Sequence, residues 1–124
     1  LARIAEFIEG EPAGYATVIG ERGIRLSGGQ RQRLSIARAL VKDPDIYIFD
    51  DAFSALDVAT DSRLRAALEA NHGDAAMIIV AQRVSTIRNA DKILVLHHGQ
   101  VREEGRHEEL LELGGIYCRL HQLQ

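Results

Sequence analysis

The chain is poor in the residues that staple or stiffen small folds: 124 residues hold one cysteine, Cys118, and two prolines. A lone thiol excludes a disulfide scaffold and fits a reducing cytoplasm. Positive charge is not in excess either. Fifteen Lys and Arg against 18 Asp and Glu give a formal net charge of −3, which argues against a protein that coats nucleic acid. No apolar run approaches the roughly 20 residues that span a bilayer, so this stretch is not expected to cross a membrane. A signal peptide is lacking, and the opening Leu1-Ala2-Arg3-Ile4, without methionine, predicts a piece of something longer. What remains is the balance of a globular protein, 46% hydrophobic and 27% charged, with room for one domain. A disordered tail or a collagen-like fibre would not have that composition.

Along the chain, Ala2, Ala5, Phe7 and Ile8 take helical spacing before a loop at Glu9-Gly10, Pro12 and Gly14. Residues 16–25 read as extended or irregular. Ser27-Gly28-Gly29-Gln30 then precedes a helical run whose Leu34, Ala37, Leu40 and Val41 are placed on one face, stopping at Asp43-Pro44. Residues 46–49 form a short apolar run closed by Asp50 and Asp51, the pattern of a strand buried on both faces of a parallel sheet. Asp57 and Thr60 open a helix carrying Leu64, Ala67 and Leu68, and residues 77–81 make a second buried strand. Residues 92–96 and 100–103 flank His98-Gly99 as a hairpin, and two short helices follow over 108–113 and 116–123. Strands alternating with helices predict an α/β fold with a mostly parallel sheet.

Ser27-Gly28-Gly29-Gln30 is the strongest chemical signal. Two glycines let a ligand approach the backbone, and the N–H groups of a first helical turn have no partner within the helix. Such an end is an anion site, to which the Ser27 hydroxyl adds a donor. The plainer alternative is a glycine-rich cap. Asp50, at the carboxyl end of a strand, is placed to hold Mg²⁺ through water, or merely to cap the next turn. Asp51 beside it could polarise an attacking water. Asp57 caps the helix that it precedes, which does not exclude a second role.

Residues 26–33 (Leu-Ser-Gly-Gly-Gln-Arg-Gln-Arg), residues 46–50 and Ser54-Ala55-Leu56-Asp57 resemble, in order and spacing, three motifs of the nucleotide-binding domain of ABC transporters. These are its signature, Walker B strand and D-loop. Residues 20–23 and 104–111 are similar to the exporter branch. The resemblance implies the C-terminal half of a P-loop NTPase core (residues 44–124) preceded by the end of a helical subdomain with the signature helix (residues 1–43). It implies ATP and Mg²⁺ as cofactors, a head-to-tail dimer with a second nucleotide-binding domain, a transmembrane domain as partner, no nucleic acid, and a place on the cytoplasmic face of a membrane. In that arrangement Ser27, Gly28, Gly29, Gln30 and Asp57 are binding residues, the signature serving the partner's nucleotide. Asp50 is the metal residue, and Asp51 and Gln82 act on the chain's own nucleotide.

The Gly-x-x-x-x-Gly-Lys-Ser/Thr phosphate loop of the family is absent from the sequence, so the chain alone is expected to bind ATP weakly or not at all. Two departures bear on hydrolysis. The family's usual Glu after the Walker B aspartate is Asp51 here, whose carboxylate retreats by about 1.5 Å, a misplacement that can cost about 100-fold. The usual switch histidine is Gln82, which can hydrogen-bond a phosphate but carries neither proton nor charge. With the signature intact, this pattern predicts the impaired half of an asymmetric heterodimer. A non-hydrolysing regulatory half is the nearest alternative, and an ABC-type ATPase of DNA maintenance a more distant one that the net charge disfavours.

Other features read as structural. His97 and His98 should point to opposite faces of a strand, against a metal site. His107-Glu108-Glu109 lacks the second histidine of a zinc motif, since Leu111 stands there. Arg22, Arg25, Arg31, Arg33, Arg38 and Lys42 read mostly as a solvated basic face, with holding phosphate or meeting the partner as the alternative for some. Glu103, Glu104, Glu108, Glu109 and Glu112 read as solvation of an acidic tail.

Overall fold

Capping residues and apolar spacing set the elements of the computed structural model, which describes residues 2–21 and 23–124. Leu1 and Arg22, the latter counted above in the basic face and in the run 20–23, lie outside the described residues. The chain divides into two units, residues 1–80 and 81–124.

In the first unit, helix α1 (Ala5–Gly10) leads through a 3-10 turn (Gly14–Ala16) to helix α2 (Gly28–Leu40). Pro44 offers no N–H and crowds a helical residue before it, so the chain turns at Asp43 with a φ of 43°. Strand β1 (Ile46–Asp50), helix α3 (Val58–His72) and strand β2 (Ala76–Val80) follow, and β1 pairs with β2 in parallel, Ile46 opposite Ala76 and Asp50 opposite Val80. This is the βαβ alternation that the sequence predicts. Tyr47 and Phe49 point into the core, their rings stacked 5.8 Å apart, with Phe53, Leu56, Leu64, Leu68, Ile36 and Leu40 around them. Burying side chains of this size contributes about 1.5–3 kcal/mol each.

Two expectations change here. Strand β1 is not covered on both faces, because Ile46 and Ile48 alternate outward and stay more than half exposed. The face of α2 predicted to be apolar is also divided. Leu40 and Ile36 enter the core, while Leu34, Ala37 and Val41, about a third of a helical turn away, line an open groove with Ile19, Ile24 and Leu26. Two arginines of the basic face also make backbone bonds: Arg31 donates to the Leu26 carbonyl at 2.7 Å and Arg33 to the Arg3 carbonyl at 2.7 Å.

The second unit runs through helix α4 (Val84–Ile87), a hairpin of β3 (Ile93–His97) and β4 (Gln100–Gly105), and helices α5 (His107–Leu113) and α6 (Ile116–Leu123). The hairpin is antiparallel, and its two turn residues, His98 and Gly99, have φ of 49° and 71°, the positive pair that matches strand twist. The left-handed backbone at His98 overturns the opposite-face expectation: the rings of His97 and His98 lie 4.0 Å apart. Among the described residues no group of three or more His, Cys, Asp or Glu is arranged to hold a metal. Val84, Ile93, Val95, Leu110 and Tyr117 form the core, where burial raises the Tyr117 phenol and its oxygen lies 2.8 Å from His107 Nδ1. The acidic tail holds two caps, one of them local, as well as solvated charge. Glu103 accepts from the N–H groups of Ile116 and Tyr117, and Glu109 accepts from Arg106 N–H at 2.7 Å.

Candidate functional site

Ser27 begins α2 with extended backbone, φ −64° and ψ 163°. Its Oγ accepts from Gln30 N–H at 3.1 Å, and Gln30 Oε1 accepts from Ser27 N–H at 2.8 Å, a reciprocal cap. The plain capping reading is therefore true. It leaves the helix end capable of more, because the cap uses neither the Gly28 nor the Gly29 N–H, and the Ser27 hydroxyl accepts there and keeps its own proton to donate. These groups, at the positive end of a 13-residue helix, fit a phosphate oxygen.

Both glycines also answer an internal demand. A Cβ on Gly28 would stand 3.2 Å from the Ala55 Cβ, and one on Gly29 would stand 3.1 Å from the Ala55 carbonyl oxygen. The turn over residues 51–56 packs directly on the start of α2, anchored by buried Phe53 and Leu56.

The carboxylates sit at the carboxyl end of the parallel pair, the end at which open α/β sheets take ligands. Asp50 is exposed and opposite Val80 in register. Asp51 leaves the strand with a φ of 49°, a left-handed conformation that aspartate tolerates better than most residues. Its backbone is pinned on both sides. Asp51 N–H donates to the Val80 carbonyl at 2.9 Å, and its own carbonyl accepts from Ser54 Oγ and from Gln32 Nε2, each at 3.1 Å. The oxygen-rich donor set of Asp50 and Asp51 suits a hard cation such as Mg²⁺. Asp57 caps α3, accepting from the Thr60 hydroxyl at 2.7 Å and the Thr60 N–H at 2.9 Å. The hydroxyl bond first, then the backbone bond, hold its carboxyl below the usual range.

The first unit thus brings residues 28–32, at the start of α2, against the turn over residues 51–56 that follows β1. Gln82 belongs to the second unit and is exposed; its carbonyl accepts from Gln124 Nε2 at 2.8 Å, while Gln124 Oε1 takes the Val84 N–H at 2.7 Å. Gln32 is the residue that sequence reasoning leaves without a role. It stands one helical turn after Gly28, on the face that the glycines open to Ala55, and that i, i+4 spacing was the available signal.

Comparison with known proteins agrees with the motifs. The family model described as ABC transporter matches residues 3–54. An ATP-dependent lipid A-core flippase of Chromobacterium violaceum is 56% identical over 99% of this chain, which covers 21% of that protein. The flippase of the same name from Mannheimia succiniciproducens is 52% identical over 99% of the chain and likewise covered over 21%. The chain spans about a fifth of the length of these curated relatives. A solved structure of a bacterial Atm1-family ABC exporter with ATP bound superposes with a TM-score of 0.93 at 46% identity, over 99% of this chain and 22% of that one. In its motifs, its sequence and its fold, the chain belongs to the ABC transporter family, in the nucleotide-binding region of exporter type.

Proposed function

We propose that the chain is the C-terminal part of the nucleotide-binding domain of an ABC exporter subunit, which couples ATP binding and hydrolysis to transport across a membrane. Residues 1–43 would belong to its helical subdomain and residues 44–124 to its ATPase core. The observation that carries this reading is the packing of the glycine-bare start of α2 on the turn that bears Asp51. One element there offers backbone donors to a phosphate, and the next offers carboxylates.

Ser27, Gly28, Gly29 and Gln30 serve the nucleotide held by a second nucleotide-binding domain, with Asp57 fixing the start of α3 beside the turn. Asp50 would hold Mg²⁺, and the ion, when bound, would offset phosphate charge. Asp51 accepts a hydrogen bond from the attacking water, and Gln82 offers its amide to the terminal phosphate. Cargo selection lies with membrane-spanning segments, and among the described residues no helix is long and apolar enough to be one. The domain works at the cytoplasmic face of the membrane.

The short reach of Asp51 and the uncharged Gln82 support a site that binds ATP and turns it over slowly, paired in a heterodimer with a domain that keeps Glu and His. The test is ATP hydrolysis by the full-length transporter in lipid, alone and with its partner half. Turnover only in the mixed complex, of which Asp51→Ala removes a minor but measurable part and which Asp51→Glu with Gln82→His raises about tenfold or more, is the expected result. Brisk turnover by this subunit alone, abolished by Asp51→Ala, would sink the impaired-site reading. No hydrolysis in any combination would sink the transporter reading itself.

A further inference from the structure

We infer that Gln32 is a positioning residue that fastens Asp51 and the turn after it to the signature helix. The inference rests on the ATPase reading above. The Gln32 amide is used at both ends: Nε2 donates to the Asp51 carbonyl at 3.1 Å and to Ser54 Oγ at 2.9 Å, and Oε1 accepts from Ala55 N–H at 2.9 Å. Ser54 Oγ also donates to the Asp51 carbonyl at 3.1 Å, closing a small ring of hydrogen bonds. A glutamine has two amide hydrogens and a carbonyl oxygen, and all three are committed to a segment 19 to 23 residues away.

Such a bond set does more than stabilise a loop. Asp51 is held in a left-handed conformation, φ 49°, which relaxes unless both flanking peptide groups are constrained. Val80 constrains the N–H side and Gln32 with Ser54 the carbonyl side. A change of φ at Asp51 would swing its side chain away from the end of β1, and because that rotation carries the Asp51 carbonyl with it, the bonds on the carbonyl oppose it. Gln32 projects from α2 one turn beyond the glycines, so any shift of the signature helix is passed to the Asp51 backbone through a side chain rather than through a flexible connection. The helix end that meets one nucleotide and the carboxylate that meets the other are thereby joined within a single subunit.

Two variants of the full-length transporter separate positioning from folding. Gln32→Leu keeps the bulk and removes all three bonds; Gln32→Glu keeps the acceptor for Ala55 N–H and removes only the donors. Both are measured beside wild type in the most active wild-type complex, by steady-state ATPase kinetics and by amide hydrogen exchange of residues 51–55. The expected result is exchange about tenfold faster for Gln32→Leu. Any turnover that depends on Asp51 should drop about 10- to 100-fold in kcat for both variants, with KM for ATP within about threefold of wild type. The part of kcat removed by Asp51→Ala defines that turnover, so Gln32→Leu in the Asp51→Ala background should add less than about twofold. Unchanged exchange would overturn the strut. Faster exchange with unaltered Asp51-dependent kcat, or with an equal loss in the Asp51→Ala background, would overturn its positioning role. A wild type that hydrolyses ATP with no Asp51-dependent part also overturns that role and leaves the transporter reading intact. A wild type that hydrolyses none overturns both.

Discussion

Asp51 and Asp57 are six residues apart and show how differently one side chain can be used. Asp51 occupies a left-handed turn and is fixed through its backbone; Asp57 is fixed through its carboxylate, by the Thr60 hydroxyl and N–H. Neither use is visible in the residue type, although the spacing of Asp57 to Thr60 already signals a cap. The cap has a consequence for acid stability. Folding lowers the Asp57 carboxyl below its ordinary value through the Thr60 bonds, so the unfolded chain binds more protons around that pH. Its contribution is complete above the ordinary carboxylate range and is lost as pH falls from about 4 through the lowered value. The Asp57→Asn variant, which caps without titrating, should therefore lose less in unfolding midpoint than wild type between about pH 5 and pH 3. Parallel pH profiles for the two proteins would remove this role from Asp57.

At the scale of elements, helix starts account for much of the local order, and their caps come from unlike sources. Ser27 and Asp57 cap their own helices and are legible as such in the sequence. Helix α6 begins at Gly115, which has no side chain to cap with, and Glu103 on β4 supplies the carboxylate from 13 residues away. Spacing in the sequence gives no hint of that, because helix α5 lies between the two and must fold the chain back on β4 for Glu103 to reach. Gly115 suits the same contact: a Cβ there would meet the Glu103 carboxylate, which would have to shift from its cap. Glu103→Ala should cost about 1 kcal/mol in chemical denaturation, the usual loss for a missing cap. Gly115→Ala should destabilise wild type and have much less effect in the Glu103→Ala background, since the two changes disturb one contact. Strict additivity in the double variant would show that the glycine is needed for something else. The four-residue helix α4 is likewise too short to produce a periodic signal, and a left-handed residue at the hairpin turn brings two histidines together that an extended strand would have held apart.

At the scale of the 124-residue chain, the outward row of the parallel pair is the feature with the widest consequence. Ile46, Ile48, Ile78 and Val80 are 57%, 68%, 53% and 52% exposed on one face, whereas sheets of this type are ordinarily covered on both. An open apolar strand pair of this kind favours association. The 124-residue chain on its own should self-associate in sedimentation velocity, and Ile48→Lys with Ile78→Lys should shift it toward monomer while leaving its helical circular dichroism intact. A monomeric wild type at the same concentration would show that water tolerates this face. The sequence by itself determined the βαβ order, the capped helices, the hairpin turn and the family, because capping, periodicity and motif spacing act over a few residues and leave a local trace. Only the tertiary structure decided which face of β1 is buried, that Gly28 and Gly29 pack closely on Ala55, and that Gln32 bonds to the Asp51 backbone. Those facts depend on contacts between segments some 20 residues or more apart, and no local pattern carries the position of a partner that arrives only when the chain folds.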